Sequence, residues 1–194
     1  MQSTLLLIRH GETEWNVARR YQGQLDSPLT ERGIAQAEAI GRRILELPEF
    51  DAAPVVASPL GRARQTAAII CARRRSPAFG TDERLREITL GSWDGLFRDE
   101  IAARSPGIFE THGSYEWYFH SADGERYDAF HARLAAFLQD ALTRPMLIIV
   151  AHGVVSRVLR GLYAGLPRDA ALSLPVPQDR IFRFAEGRIE ELPV

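Results

Sequence analysis

Two histidines sit in matched settings near opposite ends of the chain: "LLLIRHG" runs from Leu5 to Gly11 and "LIIVAHG" from Leu147 to Gly153. Each is an aliphatic run of strand length that stops at His-Gly. A lone histidine at a strand end usually serves as a hydrogen-bonding or capping residue, but two in the same setting, with arginines in company, point to a shared site. Arg9 precedes the first. A third apolar run, "PVVASP" from Pro54 to Pro59, leads into a segment whose first turn carries Arg62. In a parallel sheet the C-terminal ends of such strands lie on one edge, where ligands bind in open α/β folds. Arg9, His10, Arg62 and His152 would converge there as donors. Such a cluster repels itself unless an anion is present, and a phosphoryl group suits it because guanidinium forks match its oxygens. A helix starting after His152-Gly153 would add backbone N–H groups, Gly153 among them, to the same anion. Neighbours in a regular strand point to opposite faces, so Arg9 and His10 share a site only where pairing ends, which Gly11 allows.

The elements that must position these residues follow from periodicity. Met1 to Ile8 predicts the first strand. Thr30 is the expected N-cap of a helix whose face is Ile34, Ala37, Ile40, Ile44 and Leu45. "GRARQTAAIICA" (Gly61 to Ala72) predicts a helix with Ala63, Ala67 and Ile70 on one side. Met146 to Val150 predicts a strand, followed by a helix marked by Val154, Val155, Val158, Leu159 and Leu162. "DRIFRFAEGRIEEL" (Asp179 to Leu192) alternates around Glu186-Gly187 and predicts an antiparallel hairpin. The expected fold is a three-layer α/β/α sandwich with a mostly parallel sheet and an antiparallel edge. From about residue 95 to 140 the pattern changes to clustered aromatics and turns. This predicts a small, partly helical cap insertion, closed by a helix from about Glu125 with face Tyr127, Phe130, Leu134, Phe137, Leu138 and Ala141. The cap aromatics are expected mainly to pack, with one or two at the pocket mouth.

The chain has 194 residues, 45% hydrophobic and 25% charged, enough for one domain spanning 1–194 with one sizeable core. Its net charge of −1 gives no overall field for a nucleic-acid or acidic-membrane partner, so any anion site is local. No apolar run approaches the roughly 18 residues of a membrane span. The N-terminus lacks a signal-peptide pattern and the single cysteine, Cys71, cannot form an intramolecular disulfide. A cytoplasmic protein is expected, with Cys71 a small core residue and the oligomeric state, homodimer included, left open. There is no lysine, which excludes Schiff-base chemistry and a P-loop lysine. His112, His120 and His131 have no metal-ligand spacing, and Arg73, Arg74 and Arg75 are expected to meet helix C-terminal carbonyls and solvent.

Taken in order, "RHGETEWN", "YQGQLDSPLTERGIAQA", "ASPLGRARQTA", "LREITLGSWDG" and "VAHG" resemble the histidine phosphatase superfamily, phosphoglycerate mutase-like branch, over most of the chain. The resemblance implies that His10 is phosphorylated, that Arg9, Arg62 and His152 hold the phosphoryl oxygens, that Asn16 and the Gln22-Gly23 turn complete the pocket, and that Glu87 is the proton donor. By residue type alone Glu83, Asp94, Asp99 and Glu100 would serve as well as Glu87. The chemistry is consistent with these roles. Guanidinium neighbours keep an imidazole neutral and its lone pair available, and a phosphate dianion beside a carboxyl favours the protonated acid a leaving alkoxide needs. Arginine and histidine would stabilise the transferred charge, so no metal and no cofactor are implied.

The expected activity is metal-independent hydrolysis of a small phosphomonoester through a phosphohistidine. The alternatives are phosphoglycerate mutase-type phosphotransfer and a catalytically idle phosphate-binding module. "REITLGSWDG" and the short cap resemble the phosphatase branch. "DGER" (Asp123 to Arg126), where related phosphatases commonly carry Gly-Glu-Ser, departs from it at the start of the cap helix.

Overall fold

The computed structural model describes residues 3–74 and 78–194. Met1, Gln2 and Arg75, named in the expectations above, lie outside them. Six strands form one sheet: β1 (Thr4–Arg9), β2 (Val55–Ala57), β3 (Gly80–Thr81), β4 (Met146–Ala151), β5 (Arg180–Ala185) and β6 (Arg188–Pro193). Their order is β3-β2-β4-β1-β5-β6. The first four in that order run parallel, while β5 and β6 add the antiparallel edge. The expected α/β class and hairpin are present. β3 is a two-residue strand, too short for any alternation to show in the sequence.

Successive side chains of a strand face opposite sides, and β1 divides accordingly. Leu5 and Leu7 pack with Phe130, Leu134 and Phe137 of the Tyr127–Ala141 helix and with Val155, Val158 and Leu159 of the Gly153–Ala164 helix. Leu6 and Ile8 pack with Ile40 and Ile44 of the Glu31–Leu45 helix and Ala63, Ala67 and Ile70 of the Gly61–Arg73 helix. A strand covered on both faces needs an unbroken apolar run, which explains "LLLI" and "LIIV". Each such side chain contributes about 1.5–3 kcal/mol by leaving water.

Thr30 caps the Glu31–Leu45 helix by accepting the Gly33 N–H at 3.0 Å. Two members of its expected apolar face are exposed, however: Ile34 at 37% and Leu45 at 49%. Gly33 and Gly41 take inward positions instead, because the helix lies against other chain too closely for a side chain, as a Cβ on Gly41 would fall 2.9 Å from Arg73 Cβ.

In the 95–140 region a helix at Arg98–Arg104 and several single turns lead to the Tyr127–Ala141 helix. Trp117, 1% exposed, is its hub, with the Tyr21 and Phe109 rings each 4.8 Å away edge-on. The closing helix starts at Tyr127, two residues past the expected Glu125, whose carboxylate pairs with Arg133 at 2.7 Å. The departing "DGER" segment is anchored by Asp123, which accepts the Ser92 N–H and the Ser121 hydroxyl, each at 3.0 Å. Arg74 also differs from expectation. It turns from its own helix end to donate to the carbonyls of Phe50, Asp51 and Ala53. Cys71 is buried, as expected of a core residue. Among the described residues no helix is long and apolar enough to cross a membrane.

Candidate active site

β1, β2 and β4 end side by side. The His10 N–H continues the β1–β4 ladder by one bond to the Ala151 carbonyl at 2.9 Å, and the Ser58 N–H does the same from β2 to Val150. His10, Ser58 and His152 thus follow three adjacent strand ends. Beyond them opens a cavity of about 290 Å³ lined by residues that include Arg9, His10, Asn16, Gln22, Gly23, Arg62, Glu87 and Gly153. Arg9 is the last residue of β1 and His10 the first beyond it, so the two neighbours reach one site where strand geometry lapses.

His152 is fully buried and stands outside the cavity wall, with its ring centroid 5.2 Å from that of His10. Its Nε2 meets Ser58 Oγ at 2.7 Å. That oxygen also receives the Leu60 N–H at 3.3 Å and can still either donate to Nε2 or accept from it. The buried Nδ1 has no partner among the described residues. His10 has a fixed tautomer. Its Nδ1 lies 2.8 Å from the Gly11 carbonyl, which can only accept, so Nδ1 holds the proton and Nε2 keeps a lone pair. Both imidazoles are held well below the usual 6.5, by burial first and then by Arg62. Arg9 adds to the effect on both.

The arginines are aimed by backbone carbonyls. Arg62 Nη2 donates to Gly23 O at 2.8 Å and Nη1 to Leu25 O at 2.7 Å, while Asp26 accepts the Arg62 N–H. Arg9 Nη1 donates to Val176 O. The Nε of each is buried without a partner among the described residues. Arg9 is lowered to about 10, by burial first, and stays cationic at neutral pH.

Gly23 is required where it stands: its φ is +50°, and a Cβ there would fall 1.6 Å from Asp94 Oδ1. Gln22 spends its side-chain N–H on Thr13 Oγ1 at 2.9 Å. Asn16 Oδ1 accepts from the Thr13 N–H and from Gln178 Nε2, which turns its NH₂ away from both.

Glu87 corrects one expectation. The N–H groups of Val154 and Val155, expected to meet the anion, bind its carboxylate at 3.0 and 3.2 Å, and the Ile88 N–H binds it at 3.1 Å. A helix start with free amides favours a carboxylate within reach. The other acids near Glu87 are engaged elsewhere: Glu83 pairs with Arg86, and Asp94 accepts from Leu90 N–H, Gln24 N–H and the Thr89 hydroxyl.

Sequence reasoning missed Ser58, Gln178 and Arg157. Ser58 follows a strand end just as the two histidines do, and that shared position was the available signal. Gln178 donates to the His10 carbonyl at 3.1 Å from a loop with no periodicity.

A model of the histidine phosphatase superfamily (branch 1) matches residues 5–187. The chain belongs to the histidine phosphatase superfamily. It is 37% identical over 172 residues to the protein named "Probable phosphoglycerate mutase GpmB" of Yersinia pestis, covering 84% of this chain and 76% of that one. Among solved structures, Bacillus stearothermophilus YhfR is 36% identical with a TM-score of 0.82, covering 98% of this chain and 96% of that one. A mycobacterial glucosyl-3-phosphoglycerate phosphatase is 28% identical with a TM-score of 0.79, covering 99% and 97%. Among the described residues, no group of three or more His, Cys, Asp and Glu side chains is placed to hold a metal ion.

Proposed function

We propose that this superfamily member is a phosphatase that passes the phosphoryl group of a small phosphomonoester to water by way of His10. The observation that carries the reading is the His10 ring, whose Nδ1 is tied to the Gly11 carbonyl so that Nε2 keeps its lone pair beside a cavity lined by Arg9 and Arg62, with the His152 ring centroid 5.2 Å away. His10 Nε2 attacks phosphorus as the bond to the alcohol oxygen breaks. His152 Nδ1–H and the free Nε–H groups of Arg9 and Arg62 receive the charge on the transferred oxygens. Glu87 passes a proton to the leaving oxygen, and its carboxylate then takes a proton from the water that attacks phosphohistidine. Asn16 and Gln22 complete the wall around the transferred group. A metal is unnecessary in this scheme, because arginine and histidine do its electrostatic work.

The relative named as a phosphoglycerate mutase supports a second reading, in which phospho-His10 returns its group to the substrate. The short cap and the phosphatases among the structural relatives favour hydrolysis. The test is 3-phosphoglycerate with EDTA present. Phosphate release with an acid-labile, alkali-stable label on His10 is expected. Formation of 2-phosphoglycerate faster than free phosphate would replace hydrolysis with the mutase reading, and activity restored only by added magnesium or zinc would remove the metal-independent scheme.

A further inference from the structure

Between the Arg168–Leu172 helix and β5 runs "SLPVPQD", Ser173 to Asp179, which is neither helix nor strand. Three of its consecutive carbonyls are nevertheless held by three arginines: Leu174 O by Arg157, Pro175 O by Arg160 and Val176 O by Arg9. The two prolines suit it to that role. Each lacks an N–H, fixes its own φ and keeps the residue before it extended, so the segment presents carbonyls in a set order. Arg160 is 4% exposed and lies over the Phe182 ring of β5, 4.1 Å from its centroid. The loop is thus tied to the core through Arg157 and Arg160, and to the end of β1 through Arg9.

Gln178 closes the loop. Its Nε2 donates to the His10 carbonyl and to Asn16 Oδ1, each at 3.1 Å. Neighbours that can play only one part settle which way both amides face. A backbone carbonyl only accepts, so the end of Gln178 beside His10 O is the NH₂. The Asn16 atom that meets the second hydrogen of that NH₂ is therefore the oxygen. The Thr13 N–H, which only donates, meets the same Asn16 oxygen at 3.2 Å. Asn16 Oδ1 has both lone pairs spent, and its NH₂, without a partner among the described residues, is left for the cavity that Asn16 lines. An amide turned the other way would offer an anion an oxygen and repel it.

We infer that Gln178 is a positioning residue, which holds the Asn16 amide so that its NH₂ faces the transferred phosphoryl group. The inference rests on the phosphatase reading, which supplies that group. Thr13 holds Asn16 Oδ1 from within the same short helical turn, Glu14–Val17. Gln178 adds a second bond from a loop that arginines keep in place, and the same NH₂ holds the backbone of His10. One side chain therefore sets the spacing between the nucleophile and an amide donor.

The test is calorimetric titration with inorganic phosphate, which needs no turnover. Gln178→Met keeps the side-chain length without the donor and should weaken phosphate binding by about threefold to tenfold, the usual worth of one hydrogen bond. In the Asn16→Ala background the same substitution should cost less than about twofold, because the group it aims is gone. Should Gln178→Met fail to fold, as judged by urea unfolding, Gln178→Asn takes its place in the cycle, since it keeps the amide but withdraws it by one methylene. Equal losses in the two backgrounds, or no loss in the chain that keeps Asn16, overturn the assignment. Coupling without hydrolysis of 3-phosphoglycerate would uphold the positioning role and refute the phosphatase reading alone. Hydrolysis without coupling would refute the positioning role alone, and a wild type that binds no phosphate would refute both.

Discussion

The two His-Gly strand ends look alike in sequence and are built for opposite work. His10 lines the cavity with a lone pair on Nε2, whereas His152 is fully buried behind the wall. The partner of each ring differs in kind. A carbonyl of the next residue, able only to accept, fixes the His10 tautomer, and His152 meets a serine hydroxyl that follows a neighbouring strand, able to donate or to accept. The glycines differ as well. A Cβ on Gly11 would fall 2.3 Å from the Gly33 carbonyl oxygen, because two backbones cross there, whereas a Cβ on Gly153 would meet nothing nearer than Val176 Cγ2 at 3.6 Å. The same His-Gly ending therefore serves close packing in one place and an open wall in the other. A motif fixes where a side chain emerges, and its hydrogen-bond partner fixes what it can do.

That contrast can be broken at several points. His10→Ala should abolish turnover and leave no labelled phosphoenzyme, since no other lone pair faces phosphorus. A residual rate above a small fraction of wild type would end the assignment. His152→Ala should still form the phosphoenzyme but about a hundredfold to a thousandfold more slowly in single turnover, the usual loss for one donor to a developing charge. Complete loss would make the two histidines equivalent. Gly11→Ala should cost about 1–3 kcal/mol in urea unfolding, as overpacking does, while Gly153→Ala should change stability much less. Equal costs would deny the difference in packing. Ser58→Ala removes the hydroxyl that orients His152, a loss of about 0.5–1.5 kcal/mol. Phosphorylation should therefore slow by roughly threefold to tenfold, with no further loss in the His152→Ala background.

The smallest effect is in pH. An ordinary imidazole would be about three-quarters protonated at pH 6 and the phosphorylation rate would fall roughly fourfold. With His10 held well below 6.5 by burial, Arg62 and Arg9, the rate should stay nearly level from pH 7.5 to 6. The same depression acts on stability. Below 6.5 the unfolded chain binds protons that the folded imidazoles refuse, so both histidines should subtract stability as pH falls through 6.5, and the midpoint of urea unfolding should drop.

Strand ends were legible because burial on both faces demands runs such as "LLLI" and "LIIV", and the arrest of those runs at His-Gly marked the site. Helix faces were legible where large residues pack, and misread at Ile34 and Leu45, where the close contact is made by Gly33 and Gly41. What could not be read were partners brought by loops. Nothing in "SLPVPQD" announces that its carbonyls hold three arginines, or that Gln178 braces His10 and Asn16. Glu87 needed the resemblance to be singled out, since the amides that hold it come from residues 88, 154 and 155, two of them far along the chain.

The position of β1 in the sheet has a consequence for how the molecule is made. Its two neighbours are β4 and β5, which begin at Met146 and Arg180. As the chain leaves the ribosome, the segment bearing His10 finds no pairing partner until β4, from Met146, has followed it. Throughout that interval "LLLI" is an unpaired, water-exposed apolar strand, the kind of segment that aggregates or recruits chaperones. Closing so long a loop is also slow. Phosphate-binding competence should therefore not arise before both β4 and β5 have been made.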